Sequence, residues 1–195
     1  GYEVNLVFTY NKESDLEAGI PELKKLCNGL MWFPRKKTLL KSLNPQMPYY
    51  VKSNIPNEIE RKKLFEFFEE KCSGTELLLV EQPQTYEIAK VYLEYCGVER
   101  EKPKILYRMH NIESDFLRTL FRSTKWSSIR KYIYMSDMLR MSSYEKMVMR
   151  KADSIACISL EEMNLAKRMS KNGNVFWLPA LYKLFEDKKI ILNEK

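Results

Sequence analysis

The spacing of apolar residues switches repeatedly between strand-like and helix-like along the chain. Tyr2 to Tyr10 (YEVNLVFTY) is a β-rich run. Leu16 to Cys27 follows as a short helix, with Ser14 or Asp15 suited to cap it. Gly29 to Phe33 is a second strand, stopped by Pro34. Between Asn57 and Lys71, Ile59, Leu64, Phe67 and Phe68 recur at helical spacing. Leu77 to Val80 is apolar at every position, the signature of a strand buried on both faces. Tyr86 to Cys96 gathers Ile88, Val91, Tyr92 and Tyr95 on one helical face, and Gly97 ends it. Lys104 to His110 is the next strand, and helices follow over Glu113 to Arg122 and Ser128 to Lys151. Ser154 to Ile158 is a strand, Leu160 to Met169 a helix, and Asn174 to Leu178 a strand closed by Pro179. Arg35 to Pro56, with Pro45 and Pro48, is irregular, and Leu181 to Lys195 is a surface helix or linker.

Short strands separated by helices imply right-handed crossovers and a mostly parallel sheet. The expected fold class is therefore α/β, a Rossmann-like sheet flanked by helices. Residues 1–180 form the lobe, and 181–195 are a hinge or tail toward a second one. The opening run has the character of the second strand of a doubly wound domain, so the first strand is expected to be absent, with a native start and a different strand order as the alternative. The sheet then either lacks a member or closes up by direct pairing, and an incomplete sheet offers a route to oligomers. The six glycines are scattered, and neither GxGxxG nor GxxxxGK[ST] occurs, so no dinucleotide or P-loop cradle is supported.

Composition sharpens this picture in three ways. A net charge of +7 favours an anionic partner such as a phosphate or a membrane surface, with a solvated basic face as the plain alternative. The interleaved residues from Phe116 to Tyr132 suit either an anionic bilayer or a packed helix with a basic exterior. Nucleic acid is disfavoured because no recognition motif accompanies the charge. Cys27, Cys72, Cys96 and Cys157 are widely spaced, which points to reduced thiols and a cytoplasmic setting. With a single histidine, no zinc site is expected.

The candidate chemistry sits where strands end, the edge at which open α/β sheets bind ligands. His110 is followed by Asn111 and Glu113, and Arg108 lies just before it. An imidazole there can meet a phosphate or a sugar hydroxyl, or it can simply cap the next helix. Asn111 is also a possible N-cap, and Glu113 suits a helix first turn without any ligand. Gln84 and Tyr86, after the Leu77–Val80 run, suit sugar recognition by hydrogen bonding and ring stacking, or an ordinary βα loop. Ser159 either caps the helix at Leu160, with Glu162 completing a capping box, or faces a ligand. Glu145 reads as a surface ion-pair partner of Lys146 or Arg150.

The ordered series ILYRMHNIESDF, SSYEKMVMRKADSIACISLEE and NVFWLPA, with GYEVNLV and LLLVEQPQTYEIA before it, resembles the N-terminal lobe of GT-B retaining glycosyltransferases. The resemblance implies a hexosyltransferase-type enzyme of polysaccharide or glycolipid synthesis. Its acceptor, a glycan or lipid-linked sugar, would sit on this lobe, and its nucleotide-sugar donor mainly on an absent C-terminal lobe. No cofactor or metal is implied. His110 is implied to be the catalytic cleft residue, and Arg108, Asn111, Glu113, Gln84, Tyr86 and Ser159 to bind substrate. The isolated lobe would be inert. Peripheral contact with the inner face of a membrane is a further expectation, and a non-catalytic α/β binding domain is the alternative.

Overall fold

A computed structural model describes residues 2–36, 47–170 and 173–179. The elements are β1 (Asn5–Tyr10), α1 (Ser14–Leu26), β2 (Gly29–Pro34), α2 (Tyr49–Lys52), α3 (Glu58–Lys71), β3 (Leu77–Val80), α4 (Tyr86–Cys96) and β4 (Lys104–Met109). They continue as α5 (Glu113–Ser123), α6 (Ile129–Lys151), β5 (Ser154–Cys157), α7 (Leu160–Met169) and β6 (Val175–Trp177). Every strand pairing among the described residues is parallel, so the chain is a Rossmann-like α/β lobe. The short helix α2 falls inside the stretch expected to be irregular. The expected tail lies outside the described residues.

Local chemistry explains several boundaries. The α3 helix opens on a complete capping box: Glu60 N–H donates to Asn57 Oδ1 at 2.8 Å and Asn57 N–H to Glu60 Oε2 at 2.7 Å. Gly97 ends α4 with φ +58°, a conformation that favours glycine. The α1 helix begins differently from expectation. Its N-cap is Glu13, with no side-chain bond, and neither Ser14 nor Asp15 serves.

The sheet is divided. β1 and β2 form a two-stranded sheet, while β3, β4, β5 and β6 form a second one in that order. Of the two outcomes expected for an absent first strand, the described residues therefore show an interrupted sheet and no direct pairing of β1 with β3. The two parts still share one apolar cluster. Phe33 of β2, Leu64 and Phe68 of α3, and Val91 and Tyr92 of α4 are buried together, with Val7 of β1 and Leu78 of β3 packed against them. Burial of each such side chain contributes about 1.5–3 kcal/mol. The larger core lies under β4 and β5, where Tyr107, Met109 and Ile155 meet Met141 and Val148 of α6.

One expectation about β3 needs correction. Leu78 and Val80 turn inward, but Leu77 and Leu79 are 53% and 51% exposed. The run is not buried on both faces, because β3 is the edge strand of its sheet and one of its faces is largely uncovered. The cysteines are free, and burial pushes the Cys72 and Cys157 thiols up to about 11.

Candidate functional site

Parallel pairing brings the strand ends to one rim. Val80 is registered with Tyr107, so Glu81 stands beside Arg108, and Met109 is registered with Cys157, so His110 and Ser159 follow adjacent ends. Glu81 is the hub of this corner. Its Oε1 accepts from Arg108 Nη1 at 3.2 Å, and its Oε2 meets His110 Nε2 in a short contact. A carboxylate can only accept, so Nε2 carries the proton and Nδ1 is the ring nitrogen left for another partner. Glu81 was not singled out from the sequence. The missed signal was register: a polar residue ending the strand beside His110 must lie within reach of it.

The turn after β4 is held from a distance. The α5 helix has Ile112 as N-cap and no local side-chain cap, so Asn111 does not take that role. The first amides of α5 instead donate to Glu145 of α6, Glu113 N–H to Oε1 at 2.6 Å and Ser114 N–H to Oε2 at 3.2 Å. Glu145 is 0% exposed. It is not a surface ion-pair partner of Lys146 or Arg150; the acidic group sits inside because the helix N-terminus supplies both donors and a favourable dipole. Burial raises its carboxyl to about 7, against the opposing pull of those hydrogen bonds.

A second buried carboxylate on α6 does the same for α2. Asp137 accepts from Tyr49 N–H at 2.8 Å and Tyr50 N–H at 3.3 Å, and from Arg140 Nη2 at 3.0 Å. Burial raises its carboxyl above the ordinary range. Sequence reading missed Asp137, whose partner amides are more than eighty positions away.

The start of α2 borders a cleft of about 250 Å³ lined by Asn11, Arg35, Tyr49, Tyr50, Ser53 and Tyr134. Next to the lining residue Ser53, the buried Asn54 ties α2 to β1: its Oδ1 accepts from Thr9 Oγ1 at 2.5 Å and its Nδ2 donates to the Tyr50 carbonyl at 2.7 Å. Glu113 adjoins this region. Burial raises its carboxyl, while the Asn111 amide and the charges of Arg35 and His110 pull it back.

The expected site residues therefore divide. His110, Arg108, Asn111 and Glu113 belong to one partly open corner of the rim. Gln84 and Tyr86 turn inward: Gln84 is buried with its Nε2 donating to Gln82 Oε1, and Tyr86 is 4% exposed in the main core. Tyr86 offers no ring face for stacking a sugar. Ser159 caps α7 by accepting from Glu162 N–H at 3.1 Å. The reciprocal half of the expected capping box is missing, since Glu162 Oε2 is buried without a partner.

Compared with known proteins, the chain matches no family model, no curated protein and no solved structure. The site must be interpreted from its own chemistry. Among the described residues no group of three or more histidine, cysteine or acidic side chains is placed to hold a metal ion.

Glu145 gives this arrangement a pH signature. Its native carboxyl titrates above the ordinary 4.5, so the folded state binds its proton more tightly than the unfolded state does. Stability should fall as pH rises from 4.5 to about 7 and level off above, by roughly 3 kcal/mol from this group. Asp137 and Glu113 add slopes of the same sign, so the informative quantity is the difference between the native chain and Glu145→Gln. Urea unfolding at several pH values should show a shallower slope in the variant; identical slopes would remove the buried-carboxyl account.

Proposed function

We propose that the chain is the acceptor-side lobe of a sugar transferase, acting with a nucleotide-sugar held largely by a second lobe. The observation that carries this reading is the Glu81–His110–Arg108 corner on the carboxyl rim of a parallel sheet. Ligands of open α/β sheets bind at that rim. With Nε2 fixed on Glu81, the Nδ1 of a neutral His110 accepts from a sugar hydroxyl, and the same nitrogen in an imidazolium donates to a leaving phosphate. Arg108 brings a second positive charge, shared with Glu81 and available to a developing phosphate charge. The resemblance to GT-B lobes described above supports the same reading and implies transfer with retention, in which the leaving phosphate assists the incoming hydroxyl. The role left to these residues is then to stabilise charge and position the sugar.

A second observation favours attachment of this lobe to an anionic membrane. Trp126, Ile129, Tyr132 and Leu139 are exposed hydrophobic residues at the start and along the length of α6, and Arg122, Lys125 and Arg130 are exposed beside them. Apolar and basic side chains together on helices suit the boundary of an anionic bilayer. Not every basic residue expected to face the lipid is available. Arg118 pairs with Asp115 at 2.5 Å, and Lys131 is buried over the Trp126 ring, 4.1 Å from its centroid. No described helix is long and apolar enough to cross a membrane.

Two outcomes test these readings. In an enzyme that joins this lobe to its donor lobe, His110→Ala should lower transfer ~100-fold or more without loss of folding, the scale of a lost transition-state charge stabiliser. Undiminished turnover in the folded variant would leave the imidazole a structural role only. For the membrane, the chain should co-sediment with phosphatidylglycerol vesicles and not with phosphatidylcholine vesicles, and Trp126→Ser combined with Lys125→Ser should weaken that binding. Binding that ignores lipid charge and both substitutions would exclude the surface.

A further inference from the structure

The cleft beside α2 contains hydrogen-bonding capacity that the described residues do not use. Arg35 follows the end of β2, and its main-chain N–H donates to the Tyr10 carbonyl at 2.8 Å, which fixes its backbone to the end of β1. Its side chain makes no ion pair or hydrogen bond among the described residues, and its Nε is buried without a partner. A guanidinium with a desolvated, unpartnered N–H is costly unless something else accepts from it. Glu113 feels the Arg35 charge but forms no ion pair with it. The hydroxyls of Tyr50 and Tyr134 are likewise without a hydrogen-bond partner among the described residues. Burial, with Tyr134 nearby, holds the Tyr50 hydroxyl above its ordinary range, so it remains a donor.

The three groups differ from the neighbouring cations in this respect. Lys36 is committed to Glu60 and to the Ile55 carbonyl, Arg108 to Glu81, and Arg140 to Asp137, Ser136 and the Met47 carbonyl. Arg35 alone among these four has its side chain unengaged while lining a cleft. A planar fork of N–H donors matches the paired oxygens of a phosphate or carboxylate. Tyr49, Tyr50 and Tyr134 line the cleft with aromatic rings, a surface suited to packing a sugar ring, and Asn11 adds an amide. A cleft of about 250 Å³ fits a single hexose with one such anionic substituent, and not an extended chain.

We propose that this cleft is a subsite for a monosaccharide unit bearing an anionic group, phosphate or carboxylate, gripped by Arg35 with Tyr50 and Tyr134 as supporting donors. The inference deepens the acceptor-lobe reading and rests on it for the choice of a sugar. It makes the acceptor an acidic one: a sugar phosphate, as found at a lipid-linked end, or a uronic acid. Arg35 is then a specificity-determining residue, set just past the end of β2, where its charge reaches Glu113.

The test is calorimetric titration of the intact chain with glucose 1-phosphate, glucuronate, methyl glucoside and inorganic phosphate. At least one of the two acidic sugars should bind saturably and methyl glucoside should not; the tighter of the two identifies phosphate or carboxylate as the recognised group. Arg35→Gln should weaken that binding ~10-fold or more, as loss of a charge-assisted pair does, and Tyr50→Phe and Tyr134→Phe by a few-fold each. Arg35→Lys, which keeps the charge and loses the fork, should fall between, and it serves for the comparison if the glutamine variant fails to fold. Unchanged affinity in the Arg35 variants, equal binding of methyl glucoside, or no binding of any acidic sugar would overturn the inference. Inorganic phosphate binding as tightly as either sugar would remove the sugar from it. None of these failures touches the His110 result, so the subsite and the transferase reading fall separately.

Discussion

The buried carboxylate of Glu145 is the constraint on which the candidate site depends. The α5 helix starts immediately beyond the His110–Ile112 turn and carries no cap of its own. Its first amides would be orphaned inside the protein without an acceptor, and an orphaned buried donor costs about 1–3 kcal/mol. Glu145 supplies both acceptors from thirty residues away. Asp137, about two turns earlier on α6, does the same for Tyr49 and Tyr50. One helix thus sets the start of two others, and those two starts frame the rim: Glu113 on one side, the tyrosines of the cleft on the other. The carboxylates are tolerated in the interior because each is hydrogen-bonded by a helix N-terminus, and their raised titration points record the remaining cost of burial.

Fold class was legible because each element carries its own period. The helical spacing of Ile59, Leu64, Phe67 and Phe68, the stop at Gly97 and the apolar strand runs are local signals, and local signals survive in the structure with boundary shifts of up to three residues, the largest at the start of β1. The candidate site was legible only in part. His110, Arg108 and Glu113 stood out because a polar cluster ending an apolar run is visible in sequence. Glu81, Asp137 and the capping role of Glu145 were not, since each gains its meaning from a partner 27 to 88 positions distant. Tyr86 and Gln84 followed a strand end just as His110 did, yet they turned inward. Which way a residue on the first turn after a strand points is decided by packing, and no period encodes that.

The interrupted sheet shows where sequence and structure agree and where tertiary context overrides. Parallel pairing is as expected, but among the described residues β1 and β3 are not paired with one another. The same gap makes β3 an edge and leaves Leu77 and Leu79 largely uncovered, although their composition alone describes a buried strand. The apolar cluster around Phe33, Leu64 and Phe68 spans the division, so helices α3 and α4 hold the two sheets together where backbone pairing does not.

Carbon-detected NMR of the glutamate carboxyls, recorded with the backbone amides across pH 4 to 8.5, addresses this account most directly. The Glu145 carboxyl should titrate near 7, and the Glu113 and Ser114 amide protons should move with the same midpoint because they donate to it. A Glu145 carboxyl titrating at its ordinary 4.5, or amides of Glu113 and Ser114 that do not follow it, would contradict the central claim that this one buried group anchors the rim.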